Sequence, residues 1–541
     1  MKSHRFVLVW LILGIPIISY LLLQKTFNLA LYGDDWLQLY NLWLSFDVHK
    51  TLSFFDIKSY LSSYWPQYFF LGIIRHFFEY AAPAYFAASL LLRILATISL
   101  FFLVRELSKS RLAAFLATLI FTFSVTGLQT TDWVFNMNTY AGIIFLNLAI
   151  MTYLKIRQLK TFFSWNYVAF IILFTLALGV VPVRMIGAIF FIIATELLLY
   201  IFFDKKNILK FDKFLISRLA LPAIIMFMLV KVGSFVLGGE FSQLTNNFLY
   251  LQDMVQKGKY DILFYFLGII GNISIPDTFN TAIFSGHVSR MMVFFTLLGL
   301  LITLAVRGNK LTYGLIILFN LLWAITGKLL ILWNPDLSFA NLFSISVGFQ
   351  FLFLSFLVFR YTQKTYPKLA ASIIIGMFWI ISFSLLYWLR TRFLIIESTS
   401  RYMTMGAVGF SILLAGLLSI MFNGFKKTDP IKSAFFIIPV VLLIGWLGIN
   451  FNAAQFYLSD LETNRNLALA DKTWAALKMS VPELEKNEPS VFYFTFDNSA
   501  AANMVLVFGF WPHAGLSYNI SNWENTPLPT ENYKELLDMV K

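Results

Sequence analysis

Residues 6–40 read FVLVWLILGIPIISYLLLQKTFNLALYGDDWLQLY. The first eighteen positions, Phe6 to Leu23, are almost entirely apolar, and a helix needs roughly 20 such residues to cross a bilayer. Directly after the run come two adjacent acids, Asp34 and Asp35, in a chain with only 28 Asp+Glu among 541 residues. An apolar run that ends on a scarce pair of charges reads as a membrane helix delivering carboxylates to the surface. No A-x-A-like cleavage site follows, so the segment reads as a retained first helix rather than a signal peptide.

The rest of the chain repeats the apolar theme. It is 59% hydrophobic and 13% charged, with mean hydropathy +0.74, against roughly 25% charge in soluble domains. The apolar runs are continuous rather than alternating, which predicts an all-α polytopic membrane protein and not a β-barrel. About thirteen spans are expected, at about 6–23, 82–104, 112–129, 138–154, 166–183, 185–203, 219–237, 290–306, 311–327, 340–359, 369–389, 403–421 and 433–450.

Charge gives the sidedness. With the N-terminus inside, the inner segments hold 21 of the 41 Lys+Arg, from Lys2 and Arg5 through Arg105, Lys109 and Arg111 to Lys426, Lys427 and Lys432. Short basic loops alternate with longer ones, as the positive-inside pattern requires. The net charge of +13 therefore belongs to topology, and nucleic acid is excluded as a partner. The chain has no Cys, which removes disulfide, thiolate and Cys-metal chemistry. The expected location is a cytoplasmic (inner) membrane, multi-pass, with the long loops and the C-terminal segment outside.

Two domains are expected: a membrane part over 1–450 and a small extracytoplasmic part over 451–541. In the first long outer loop (about 24–81), the stretches 35–46 and 65–80 carry aromatic stripes and read as interfacial helices. A second long loop is expected at about 238–289. The tail, with 6 basic and 11 acidic residues, contains an amphipathic pattern (459–479), a strand-like SVFYFTF (490–496) and turn-rich sequence, giving a small α/β segment. His513 reads as structural or surface-exposed.

Several residues could carry chemistry. One reading of Asp34 and Asp35 is capping of the following helix; the other is a general base at a membrane cavity. Cations at or near outer span ends, namely Arg184, Arg290, Lys328, Arg390, Arg392 and Arg401, are disfavoured there by the topology rule. They read either as snorkelling side chains or as a phosphate-binding set. Asp132, in TTDWVFN (130–136), repeats the Asp-Trp form and reads as a cap or as a second acid for substrate or metal. Arg93 and Glu196 lie within spans and read as bundle-internal partners. HExxH, Walker A and a dinucleotide fingerprint are missing.

The order of these features resembles the glycosyltransferase-C superfamily: a first membrane helix, an outer loop opening on paired acids in GDDW, interfacial helices, then a bundle. Within it, RELSKSRLAAFLATLIFTFS (105–124) and SRYM (400–403) resemble the branch that holds protein O-mannosyltransferases and the lipid A aminoarabinose transferase. The resemblance covers about residues 1–420. It implies transfer of a sugar from a polyprenyl-phosphate donor to an acceptor hydroxyl of a glycan, lipid or protein, on the outer membrane face. It implies that Asp34 or Asp35 is the catalytic base, without distinguishing the two, and that Arg401 with Tyr402 contacts the lipid phosphate. Asp132 matches a second-loop acid of some branches. A divalent metal ion is a possible cofactor. No WWDYG-type signature is present, so peptide N-glycosylation is not implied. The competing classes are a transporter or lipid flippase, disfavoured by the lack of an internal repeat, and a lipid-linked glycan polymerase or ligase.

Overall fold

A computed structural model describes residues 2–51, 65–159, 164–203, 213–232, 236–278, 296–297, 299–300, 310–425, 437–465, 467, 470–494, 509–530 and 532–540. Helices dominate, because in lipid every backbone N–H must be satisfied within its own segment. Among the described residues, nine helices are long and apolar enough to cross a membrane: Val7–Asn28, Ala82–Ser108, Val134–Gln158, Val183–Phe202, Gly314–Trp333, Ala340–Thr362, Pro367–Arg390, Arg401–Asn423 and Ile437–Asn464. The chain is thus a multi-pass membrane protein.

These nine coincide with nine of the thirteen expected spans. The expected spans at 112–129 and 166–183 are helices, but shorter ones: Arg111–Phe123 and Trp165–Val180. The expected span at 219–237 falls on the helix Lys213–Val232, which carries Pro222 in its interior. The expected span at 290–306 lies almost wholly outside the described residues.

The loop expected at about 238–289 is largely helical where it is described. It holds the helix Val236–Gln256 and then Tyr265–Ser274, which is buried continuously from Leu267 to Ser274. This ten-residue helix is too short to register as a span. It lies against Phe339–Thr362, where Gly271 and Gly348 let the backbones meet.

The chain forms two compact units. The first comprises residues 1–18, 94–128 and 139–453; the second comprises 19–93, 129–138 and 454–541. This division follows contacts rather than chain order, and runs along a different line from the expected boundary after residue 450, which is drawn by membrane side.

In the first unit, Pro367–Arg390 packs along Thr404–Phe425 and Gly187–Phe202. Glu196 is fully buried here. It is neutralised by Arg157 and Arg218, each at 2.8 Å, and accepts from the Tyr153 hydroxyl at 3.1 Å. A lone charge at that depth costs several kcal/mol, so the cluster is a structural device, as its placement within a span implies.

In the second unit, both helices expected in the first outer loop form, as Asp34–Trp43 and Trp65–Phe78. Tyr32, Trp36, Leu39, Leu71, Tyr85 and Val134 share one apolar core with Leu461 and Leu467 of the tail. The expected amphipathic helix at 459–479 is two pieces. The last span continues as a helix to Ser459, a wider turn covers Asp460–Asn464, and Ala470–Ser480 follows. The strand-like run supplies Val491–Tyr493, which pairs in parallel with Leu528–Thr530, Val491 opposite Leu528.

Candidate active site: a carboxylate cluster and an arginine cluster

The acid helix begins at a turn that only glycine adopts without strain. Gly33 has φ 57° and ψ −125° and occupies the N-cap, so neither acid holds the N-cap position. Asp34 and Asp35 are the first two helical residues, where the macrodipole favours negative charge.

The two neighbours have opposite environments. Asp34 is half-buried. Asp35 is sealed, with no exposed surface. Its Oδ1 accepts from the Phe135 N–H at 2.8 Å, while its Oδ2 has no hydrogen-bond partner among the described residues. Burial, reinforced by the nearby Asp34 and Asp132 charges, pushes the Asp35 carboxyl well above the usual carboxylate range.

Asp132 is equally buried. Its Oδ2 accepts from the Tyr457 hydroxyl at 2.9 Å and from Tyr32 at 3.5 Å, and its Oδ1 has no partner among the described residues. Burial pushes it up to about 7 despite these hydrogen bonds. The repeated Asp-Trp form now has a physical meaning. Trp36 donates to the Leu31 carbonyl at 2.9 Å, Trp133 stacks on Tyr32 at 5.4 Å, and each Asp is carried into the core beside its Trp.

The tail holds the acid helix in place. Phe510–Tyr518 packs directly against Asp34–Trp43. A Cβ at Gly515 would come within 2.5 Å of the Tyr40 ring, whose hydroxyl donates to the Ile520 carbonyl at 2.9 Å. His513 is wedged between Trp36 (3.9 Å) and Trp474 (3.7 Å), both edge-on. It is thus a structural, partly buried residue packed between two indoles. Gly515→Leu is expected to destabilise the protein by about 1–3 kcal/mol through overpacking, read as a lowered Tm with the first-unit contacts unaffected.

Burial holds the His513 imidazole down at about 3, below its ordinary value of 6.5. The folded state thus resists protonating it, and the unfolded state does not. His513 contributes stability that is fully present above pH 6.5 and is lost as pH falls through that window toward 3. Asp132 acts in the opposite sense. Its raised folded value gives stability that is present below about 4 and lost as pH rises through 7. His513→Phe is expected to shift the acid-unfolding midpoint downward, followed by tryptophan fluorescence; an unchanged midpoint would count against this burial.

The second cluster belongs to the first unit. Arg184 sits at the break before Gly187–Phe202, Arg390 ends Pro367–Arg390, and Arg401 and Tyr402 open the span Arg401–Asn423. All three guanidinium groups converge on the Tyr402 ring, at 5.6, 5.9 and 5.3 Å from its centre. Arg184 is nearly fully buried, donates to the Thr139 hydroxyl, and its carbonyl accepts from the Tyr387 hydroxyl at 3.2 Å. The Arg401 carbonyl accepts from Thr404 at 2.9 Å. Three guanidinium groups are thus gathered on one ring at span ends, and their planar forks suit phosphate oxygens.

Four of the expected phosphate-binding residues thus come together: Arg184, Arg390, Arg401 and Tyr402. Lys328 does not join them; it lies exposed on Lys310–Trp333. Arg392 is exposed and lines a different cavity. Arg290 lies outside the described residues. Sequence reasoning missed Tyr32 and Tyr457 as partners of Asp132, and the tail as the support of the acid helix. Among the described residues, no group of three or more His, Asp or Glu side chains is arranged to hold a metal ion.

No family model matches the chain, and no curated protein does. Solved structures with a similar course include an archaeal oligosaccharyltransferase AglB from Archaeoglobus fulgidus in complex with an inhibitory peptide and a dolichol-phosphate. It has a TM-score of 0.47 and 14% identity over 98% of this chain and 65% of that one. A second is the Archaeoglobus fulgidus oligosaccharyltransferase complex with Zn and sulfate, at TM-score 0.46 and 15% identity over 96% of this chain and 62% of that one. The chain therefore spans less than two thirds of the length of either.

Proposed function

We propose that the protein is a membrane glycosyltransferase that moves a sugar from a polyprenyl-phosphate donor to an acceptor hydroxyl, in the manner of the O-mannosyltransferase and aminoarabinose transferase branch. The observation that carries this reading is the split environment of the acid pair. One carboxylate, Asp34, is accessible at the start of a helix. Its neighbour, Asp35, is sealed beneath it and locks the helix to the backbone at Phe135.

In this reading Asp34 is the general base. It takes the proton of the acceptor hydroxyl as the acceptor oxygen forms its bond to the anomeric carbon. The bond from that carbon to the phosphate oxygen breaks, and prenyl phosphate leaves with the electron pair. Arg401, Arg390 and Arg184 are the candidate phosphate-binding set, whose charge would offset that growing on a leaving phosphate. Asp35 and Asp132 are positioning residues. Both carboxylates are sealed, and among the described residues no carboxylate group is arranged to hold a divalent ion, so neither is given a metal-binding role.

The proposed setting is a cytoplasmic membrane with the N-terminus inside and the acid helix and tail outside. The experiment is incubation of the purified protein in nanodiscs with polyprenyl-phosphate sugars, followed by extraction of the lipid. Cleavage to free prenyl phosphate with glycosylated acceptor is the expected result. Intact donor moved between leaflets without cleavage would instead make the protein a flippase.

A further inference from the structure

A cavity of about 270 Å³ in the first unit takes no part in the proposed transfer. Its lining includes Lys259, Asp261, Trp333, Asn334, Arg392 and Phe393. Asp261 forms a buried floor, only 2% exposed. Its Oδ2 accepts from the Tyr265 hydroxyl at 2.7 Å and from the Asn334 amide at 2.9 Å. Lys259 and Arg392 are exposed at the rim, and neither side chain makes a hydrogen bond or ion pair among the described residues. One cavity therefore holds a carboxylate and two cations apart from each other across open space.

The rim is built at a cost. Arg392 and Phe393 both adopt left-handed backbone, at φ 52° and 68°, each at roughly 1–2 kcal/mol. Phe393 is tucked under the rim, its N–H bonded to the Trp388 carbonyl at 2.9 Å and its ring parallel to Tyr250 at 5.8 Å. The strain turns adjacent residues in opposite senses, Phe393 buried and Arg392 exposed. Strained pairs of this kind recur at ligand clamps.

The location narrows the ligand. Trp333 ends the span Gly314–Trp333, and Arg392 lies two residues beyond the end of Pro367–Arg390. Leu332 and Trp333 are 73% and 41% exposed. The cavity thus lies at the level where two spans leave the hydrocarbon, beside a lipid-facing helix, where Trp side chains favour the headgroup layer.

We propose that this cavity binds the headgroup of an aminophospholipid, with its primary ammonium on Asp261 and its phosphate on Lys259 and Arg392. The ammonium brings N–H donors to the carboxylate and a cation to the faces of the surrounding aromatic rings. The phosphate takes the guanidinium fork. A bare phosphate would leave Asp261 facing a like charge. A choline headgroup has no N–H to give it, and a neutral sugar would leave both cations uncompensated. The site is independent of the transfer reaction and stands whether or not that reaction is assigned correctly.

The test is titration of the full-length purified protein with dihexanoyl phosphatidylethanolamine and dihexanoyl phosphatidylcholine, followed by tryptophan fluorescence. The ethanolamine lipid is expected to bind at least about tenfold more tightly. Lys259→Gln and Arg392→Gln are each expected to weaken it about tenfold, and Asp261→Asn to bring the two lipids to equal affinity. Lys259 and Arg392 are exposed, so their variants carry the test even where Asp261→Asn fails to fold. Equal binding of the two lipids by the wild-type protein would overturn the proposal. So would an affinity for the ethanolamine lipid that Lys259→Gln and Arg392→Gln both leave unchanged.

Discussion

Asp34→Asn is expected to lower the turnover of sugar transfer by about 10²–10⁴-fold, the range over which a positioned general base contributes, while donor binding and thermal stability stay near wild type. The substitution keeps size and shape at a half-buried helix start and removes only the ability to take a proton. Asp35→Asn is expected to behave differently. Burial already penalises its charged form in the folded protein, and an amide oxygen still accepts from the Phe135 N–H, so transfer should stay within about tenfold of wild type. Asp35→Leu cannot accept that bond. It leaves a buried N–H unsatisfied, at a cost of about 1–3 kcal/mol, and should lower Tm. Steady-state kinetics and thermal unfolding of the three variants separate the roles. A dead Asp35→Asn beside an active Asp34→Asn would exchange them, and two fully active variants would remove the acid pair from catalysis.

The second large effect concerns the arginines. Arg401→Ala is expected to lower kcat/KM for the donor by about 10–150-fold, from the loss of a charge-assisted hydrogen bond of about 1.5–3 kcal/mol. It should leave expression and Tm nearly unchanged, since Arg401 is only partly buried. Arg401→Lys restores charge without the planar fork and should recover part of the loss. Arg184→Ala is expected to combine lost donor use with lost stability, because Arg184 also donates to Thr139 in the buried bundle. Donor kinetics unaffected by Arg401→Ala would show that the convergence on Tyr402 is structural.

Much of this was legible from residue order. Runs such as Phe6–Leu23 declare membrane helices because lipid leaves the backbone no alternative. The cations were identifiable as anomalies because the inner loops had already absorbed the positive-inside charge. Convergence was not legible: nothing in one dimension says that Arg184, Arg390 and Arg401 meet on one ring while Lys328 stays on an exposed helix face. The second unit was hidden for the same reason. Its acids come from positions 34, 35 and 132, its phenols from 32 and 457, and its buttress from 510–518, so no local pattern announces it. Hydropathy also passed over Tyr265–Ser274, since a ten-residue helix buried among other helices has no span-length signal. The Asp pair was readable as unusual, but not as divided; the difference between a sealed and a reachable carboxylate is set by Phe135, far away in the chain.

The most direct test of the central claim is a single-turnover reaction of the nanodisc-embedded protein with a polyprenyl-phosphate sugar, in which prenyl phosphate and glycosylated acceptor are quantified together by mass spectrometry for wild type and Asp34→Asn. The account predicts equal amounts of the two products from the wild-type protein, and intact, bound donor with neither product from Asp34→Asn. Equal product formation by the two proteins would contradict it.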